Sequence, residues 1–249
     1  MDIVYTIWLR NMKRYLRSKS RIVGSLGMPV FFLLVLGFGL NSVVSLPGMG
    51  HGYIGFIIPG IISMSVLFTS VFSGIQIIWD KQFGFLKETL VAPVSRLEIM
   101  LGQTFGGATT SLIQGLIILV LSLFIGLNIT SVSGFLVAFV FMLLIGLSFT
   151  AFGIAIASRM EDMHGFQLIM NFVIFPIFGL SGALFPINSL PSWLKSLTML
   201  DPLTYGVEGI RYGLLGTSQI DPFNSFVVLT GFTVFMVVFG AYLFRKINV

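Results

Sequence analysis

Six stretches of the chain are long and apolar enough to cross a bilayer: Ile22–Val44, Ile54–Trp79, Leu101–Gly126, Gly134–Ala157, Gln167–Phe185 and Asn224–Phe244. None of them contains an Asp, Glu, Lys, Arg or His. A spanning helix needs about 20 mostly apolar residues. In lipid every backbone polar group must be satisfied within the protein, which leaves the α-helix as the form such segments take. The prediction is an all-α membrane protein with six transmembrane helices in one domain over residues 1–249. Charge content agrees. Only 9% of the residues are charged, where a soluble domain carries roughly 25%.

The connections between these stretches divide by charge. Arg10, Lys13, Arg14, Arg17, Lys19 and Arg21 precede the first span. Lys81, Lys87 and Arg96 follow the second, Arg159 follows the fourth, and Arg245 and Lys246 end the chain. That places 12 of the 14 Lys and Arg on one side, with only Lys195 and Arg211 on the other. Basic loops stay in the cytoplasm, so both termini are predicted to be cytoplasmic and the chain multi-pass in the cell membrane. A cleaved signal peptide fits less well: the basic region is about 20 residues and the apolar run exceeds the usual 7–15. The net charge of +5 belongs to this membrane asymmetry, and no nucleic-acid partner is predicted from it.

Three segments outside the spans carry information. Residues 1–21 form a basic amphipathic helix, with Arg10, Arg14, Arg17 and Arg21 on one face and Val4, Trp8, Met12, Tyr15 and Leu16 opposite; Ile3 and Ile7 fall nearer the basic side. Such a helix lies in the membrane interface. Residues 80–98 are mixed in charge and contain a short amphipathic run, Phe83–Val91, stopped by Pro93. Helix connections are usually far shorter, which suggests a docking element. Residues 187–223 hold two short helical runs, Pro191–Leu200 and Leu203–Leu215, divided by Asp201-Pro202. Asp201 is placed to cap the second run, with Pro202 in its first turn. Glu208 and Arg211 stand three apart, where they can pair. Too apolar for a loop and too short to span, these runs read as a re-entrant or interfacial hairpin at the outer surface.

The missing chemistry narrows the function further. Ion-coupled carriers usually keep ionisable residues in their spans, and these spans have none. There are no cysteines. His51 and His164 are loop residues, and Glu161, Asp162 and His164 read as a solvated cluster, so no catalytic or metal-ligating set is predicted. No phosphate-binding G-x-x-x-x-G-K-[ST] stretch occurs. Gly102 and Gly106 form a small-xxx-small pair suited to packing or dimerisation. If the chain moves cargo actively, the energy must enter from a partner on its cytoplasmic face.

On particular motifs the sequence resembles the ABC type 2 exporter permeases, the branch with daunorubicin-resistance-type and polysaccharide-export-type membrane subunits. The motifs are Gly84-Phe85-Leu86-Lys87-Glu88-Thr89-Leu90 with Ala92-Pro93-Val94-Ser95-Arg96, then Leu180-Ser181-Gly182-Ala183-Leu184-Phe185-Pro186. Leu190-Pro191-Ser192-Trp193-Leu194 and Asp201-Pro202-Leu203-Thr204-Tyr205-Gly206-Val207 follow, and Pro59-Gly60 fits as well. The family often has Asn where this chain has Asp201. The resemblance implies an interface helix at residues 1–21. It implies a segment over 80–98 that couples to an ATPase, with Gly84, Lys87, Glu88, Pro93 and Arg96 as its markers. It also implies an outer gate at 187–223, shaped by Pro186, Asp201, Pro202 and Tyr205. Two copies would form the pathway, and a separate ABC ATPase subunit would bind ATP and Mg. The Phe- and Met-rich spans suit amphipathic, lipid-linked or polysaccharide cargo, and no substrate-binding residue stands out. Two alternatives stay open on the residues alone: a secondary carrier with a backbone-only ion site, and a membrane scaffold that moves nothing.

Overall fold

The computed structural model describes residues 3–41, 52–85, 94–127 and 129–247; the side chains of Arg21 and Asn41 fall outside that description. Among the described residues, all regular structure is helical. α1 (Ile3–Arg17) meets α2 (Lys19–Asn41) at an elbow on Ser18. α3 (Gly52–Ser73) and α4 (Ile75–Gln82) join at Gly74 into one apolar stretch of 31 residues. α5 (Arg96–Phe124), α6 (Val132–Ala157) and α7 (Met163–Leu180) follow. A 3-10 turn (Ile187–Ser189) leads into α8 (Ser192–Leu200), α9 (Pro202–Leu215) and the last span, α10 (Pro222–Arg245). Six of these segments are long and apolar enough to cross a membrane, so this is an all-α, multi-pass membrane protein.

Burial orders the spans. The α3–α4 stretch is 83% buried over its most apolar window, whereas α2 and α10 are each 17% buried. The core is therefore built on α3, with α5, α6 and α9 around it and α2, α7 and α10 at the periphery. α9 is almost wholly buried, and small residues let it in. A Cβ on Gly209 would stand 2.3 Å from the Phe141 ring, and one on Gly213 would stand 2.6 Å from the Gly134 carbonyl oxygen. Aromatic edges fasten the periphery: Phe175 and Phe178 of α7 meet Phe68 of α3, and Phe178 in turn meets Phe32 of α2.

The helices start on polar caps that only partly match the expected boundaries. Ser95 and Glu98 form a reciprocal capping box: the Ser95 hydroxyl accepts from the Glu98 N–H at 3.1 Å, and the Glu98 carboxylate accepts from the Ser95 N–H at 2.9 Å. The third span thus begins five residues before Leu101. Asp162, expected in a solvated charged loop, caps α7 by accepting from the Gly165 N–H. The second span also runs further than Trp79, through Gln82, and this extension moves Asp80 from the connection into a helix. α7 ends at Leu180, so residues 181–185 form turns where span was expected.

Candidate functional site

The described parts of the connections expected on the basic side gather at one end of the bundle. Gln82 donates from Nε2 to the Glu161 carbonyl at 2.8 Å, and Lys81 stands 4.0 Å from the Glu161 carboxylate. Arg96 donates from Nη1 to the carbonyls of Arg245 and Ile247, the latter at 3.2 Å. These are the open carbonyls at the end of α10, where a cation also faces the negative end of the helix dipole. The other side chains named for residues 80–98, Lys87, Glu88 and Pro93, lie outside the described residues. Gly84 is described. It closes α4 with φ +78°, a left-handed conformation that favours glycine, and donates its N–H to the Lys81 carbonyl.

α1 belongs to this end and is docked on α5. A Cβ on Gly102 would stand 2.8 Å from the Ile7 Cβ, and one on Gly106 would stand 2.9 Å from the Asn11 Cβ. The small-xxx-small pair therefore serves helix packing inside one chain. Polar bonds fix the seam: Trp8 Nε1 donates to Thr109 at 3.0 Å, Asn11 Nδ2 to Gln103 at 2.7 Å, and the Tyr15 hydroxyl to Gln114 at 2.8 Å. The buried residues of α1 are Ile7 and Tyr15, while Leu16 is exposed. The seam is thus rotated from the expected apolar face. Close approach at two glycines outweighs the average hydrophobicity of the face.

Arg10 is the joint between α1 and the head of residues 80–98. Its Nη2 lies 2.6 Å from Asp80 Oδ2, and its guanidinium stacks 4.3 Å above the Phe85 ring centroid. Asp80 is 4% exposed. Its carboxylate also accepts from Gln76 at 2.7 Å and from Gln103 at 3.3 Å. A buried carboxylate with a cation and two amide donors is well compensated, so this cluster ties together α1, α4 and α5. Arg14 and Arg17 face outward beside it. Nothing in the charge-free reading of the second span pointed to Asp80. The signal was Gln76-x-x-x-Asp80, one helical turn apart, with Gln103 in the next span.

At the opposite end lies the helical hairpin. Asp201 ends α8 and caps α9, accepting from the Leu203 N–H at 3.0 Å, with Pro202 at the first helical position. Tyr205 donates its hydroxyl to the Met199 carbonyl at 2.8 Å, and Thr204 donates to the Thr198 carbonyl at 2.8 Å. The turn is thereby stitched back onto the last turn of α8. Pro186 begins the 3-10 turn in front of α8. The Asp201 carboxylate is buried, and its Oδ2 has no hydrogen-bond partner among the described residues.

Two turns further on, Glu208 and Arg211 form the ion pair their spacing allowed, both fully buried. Arg211 Nη2 also donates to the Gly182 carbonyl at 3.0 Å, and the guanidinium lies 4.1 Å over the Phe56 ring centroid. Glu208 accepts in addition from the Gln219 N–H. One guanidinium thus joins α9, α3 and the turn after α7.

The chain matches the ABC-2 type transporter family over residues 3–215. It is 28% identical over 234 residues to the inner membrane transport permease YadH of Escherichia coli (strain K12), covering 92% of this chain and 89% of that protein. It is 28% identical over 218 residues to nodulation protein J of Rhizobium leguminosarum bv. trifolii, covering 86% and 82%. Over 198 residues it is 28% identical to a ycf38 transport permease of Cyanophora paradoxa, covering 79% and 68%. The chain therefore belongs to the ABC-2 type transporter family and is a membrane permease subunit of that class.

Proposed function

We propose that this permease is one half of an ATP-driven export pathway, and that a separate ABC ATPase, holding ATP and Mg, docks on residues 80–98. Two copies form the pathway, with both termini in the cytoplasm. The observation that carries this reading is how the two ends of the segment are anchored. Asp80 and Phe85 are tied to α1 through Arg10. Arg96 is tied to the end of α10. A push on the segment is therefore delivered to α1, α4 and α10 at once, which is what converting ATP-driven closure into a change of membrane state requires. Lys87 and Glu88 are the proposed polar contacts. The hairpin from Ile187 to Leu215 is the proposed outer gate, re-entering from the far side of the membrane. Amphipathic, lipid-linked or polysaccharide cargo suits apolar, Phe-rich spans.

The chain has no cysteine, so one introduced thiol reports without background. Glu88→Cys, treated in native membranes with a short thiol-to-amine crosslinker, should capture an ATP-binding subunit, and Trp193→Cys at the opposite end should not. Capture from neither position, or equally from both, would remove the support for docking on this segment.

A further inference from the structure

The elbow between α1 and α2 holds a concentration of positive charge that the permease reading does not use. An open concavity of about 820 Å³ there is lined by Arg10, Lys13, Arg14, Arg17 and Lys19 together with the elbow serines. Arg10 is satisfied by Asp80. Lys13, Arg14, Arg17 and Lys19 have no carboxylate partner among the described residues. No Asp or Glu occurs between residues 3 and 79, so α1 and α2 supply no carboxylate of their own. Like charges held this close repel unless an anion lies among them. The first turn of α2 adds to the demand: it has no acidic residue, and its first bond closes only at Ile22, whose N–H reaches the Ser18 carbonyl at 3.2 Å.

Position selects the anion. The apolar window of the first span opens at Ile22, three residues beyond Lys19, so the concavity sits at the level where that span enters the membrane. Further along α2, Val23, Met28 and Phe31 are exposed. A soluble phosphate would use the cations and leave that apolar strip idle, whereas a phospholipid uses both. Basic clusters next to a spanning helix are a recurrent setting for anionic headgroups.

We propose that the α1–α2 elbow is a binding site for one anionic glycerophospholipid, its phosphate among Arg14, Arg17 and Lys19 and its acyl chains along Val23, Met28 and Phe31. The site rests on the membrane placement of α2 and is independent of ATPase docking. None of the three cations belongs to the seam made by Ile7, Asn11 and Tyr15, so their removal leaves α1 docked on α5.

The test uses the full-length chain in phosphatidylcholine nanodiscs, with spin-labelled phosphatidylglycerol and spin-labelled phosphatidylcholine compared for the fraction immobilised by the protein. Wild type should immobilise the anionic probe selectively. Arg14→Gln/Arg17→Gln/Lys19→Gln should reduce that selectivity about tenfold or more, the scale expected when three cations leave a headgroup. Arg159→Gln/Lys246→Gln, which removes charge from the same end of the bundle, should leave it unchanged. Equal loss in both variants would mean diffuse attraction and overturn the site. Displacement of the probe by inorganic phosphate, but not by chloride at matched ionic strength, would assign the cluster to a soluble anion and overturn the lipid. If the triple variant does not fold, Arg14→Gln and Arg17→Gln alone should each weaken selectivity, and no change in either would contradict the proposal.

Discussion

Gly102 and Asp201 show how much single residues decide in this molecule. Gly102 admits the backbone of α1: an added Cβ would stand 3.0 Å from the Val4 carbonyl oxygen as well as against Ile7. Gly102→Leu should cost about 1–3 kcal/mol by overpacking and lower the midpoint of thermal unfolding in detergent. Gly179→Leu, at a helical position with open space around it, is the matched control and should have little effect. Asp201 acts through its carboxylate, which is buried with Oδ2 left without a hydrogen-bond partner among the described residues. Asp201→Asn keeps the oxygen that caps Leu203 and removes the acid, so the variant should unfold at a higher temperature than wild type in detergent. The cap itself was legible, because an Asp before Pro at a helix start has few other uses. Its burial was not, since that depends on α8 folding back over the turn.

Helices and their ends were read unevenly, for physical reasons. Apolar length identified the six spans, because a bilayer allows little else. The hairpin was legible from Pro191 and Asp201-Pro202, which punctuate the chain wherever they occur. What was missed came from short polar signals next to long apolar runs. Ser95-x-x-Glu98 is a capping box that starts α5 early. Gln76-x-x-x-Asp80 belongs to a helix that continues past the apolar run. The docking of α1 on α5 was not read at all, because it is set by glycines on another helix. The Arg10–Asp80 ion pair joins elements that were read separately, whereas Glu208–Arg211 is the pair within α9 that its spacing allowed. Replacing Arg211 by Met or Glu208 by Gln alone should each cost about 3–5 kcal/mol, since each leaves a buried charge uncompensated. The double variant should lose much less than the sum, and a thermal-unfolding cycle over the four proteins measures the difference. Arg10→Asp and Asp80→Arg should each loosen α1 from α4, and the swapped pair should regain part of the loss. The same unfolding measurement reads this out, and no recovery in the double variant would show that the two side chains act separately.

At the scale of the whole molecule, two polar clusters stand at opposite ends of an apolar bundle. One, around Asp80, joins α1 to α4 and α5 beside the proposed docking segment. The other, around Arg211, locks α9 to α3 and to the turn after α7. Between them runs the most buried of the six spans, α3 with α4, and both clusters grip it through Phe56 and Asp80. A bundle gripped at both ends of its central element is suited to move as a unit when one end is pushed. In the proposed function the push comes from an ATPase. The direct measurement is to purify the tagged chain from native membranes in mild detergent, identify what accompanies it and assay ATP hydrolysis. An ABC ATPase should accompany it at about one per permease, as expected when each ATPase grips one coupling segment, and should be lost on Lys87→Glu/Glu88→Lys while the permease still elutes folded. A folded permease that elutes alone and inactive from several detergents would contradict the proposed function.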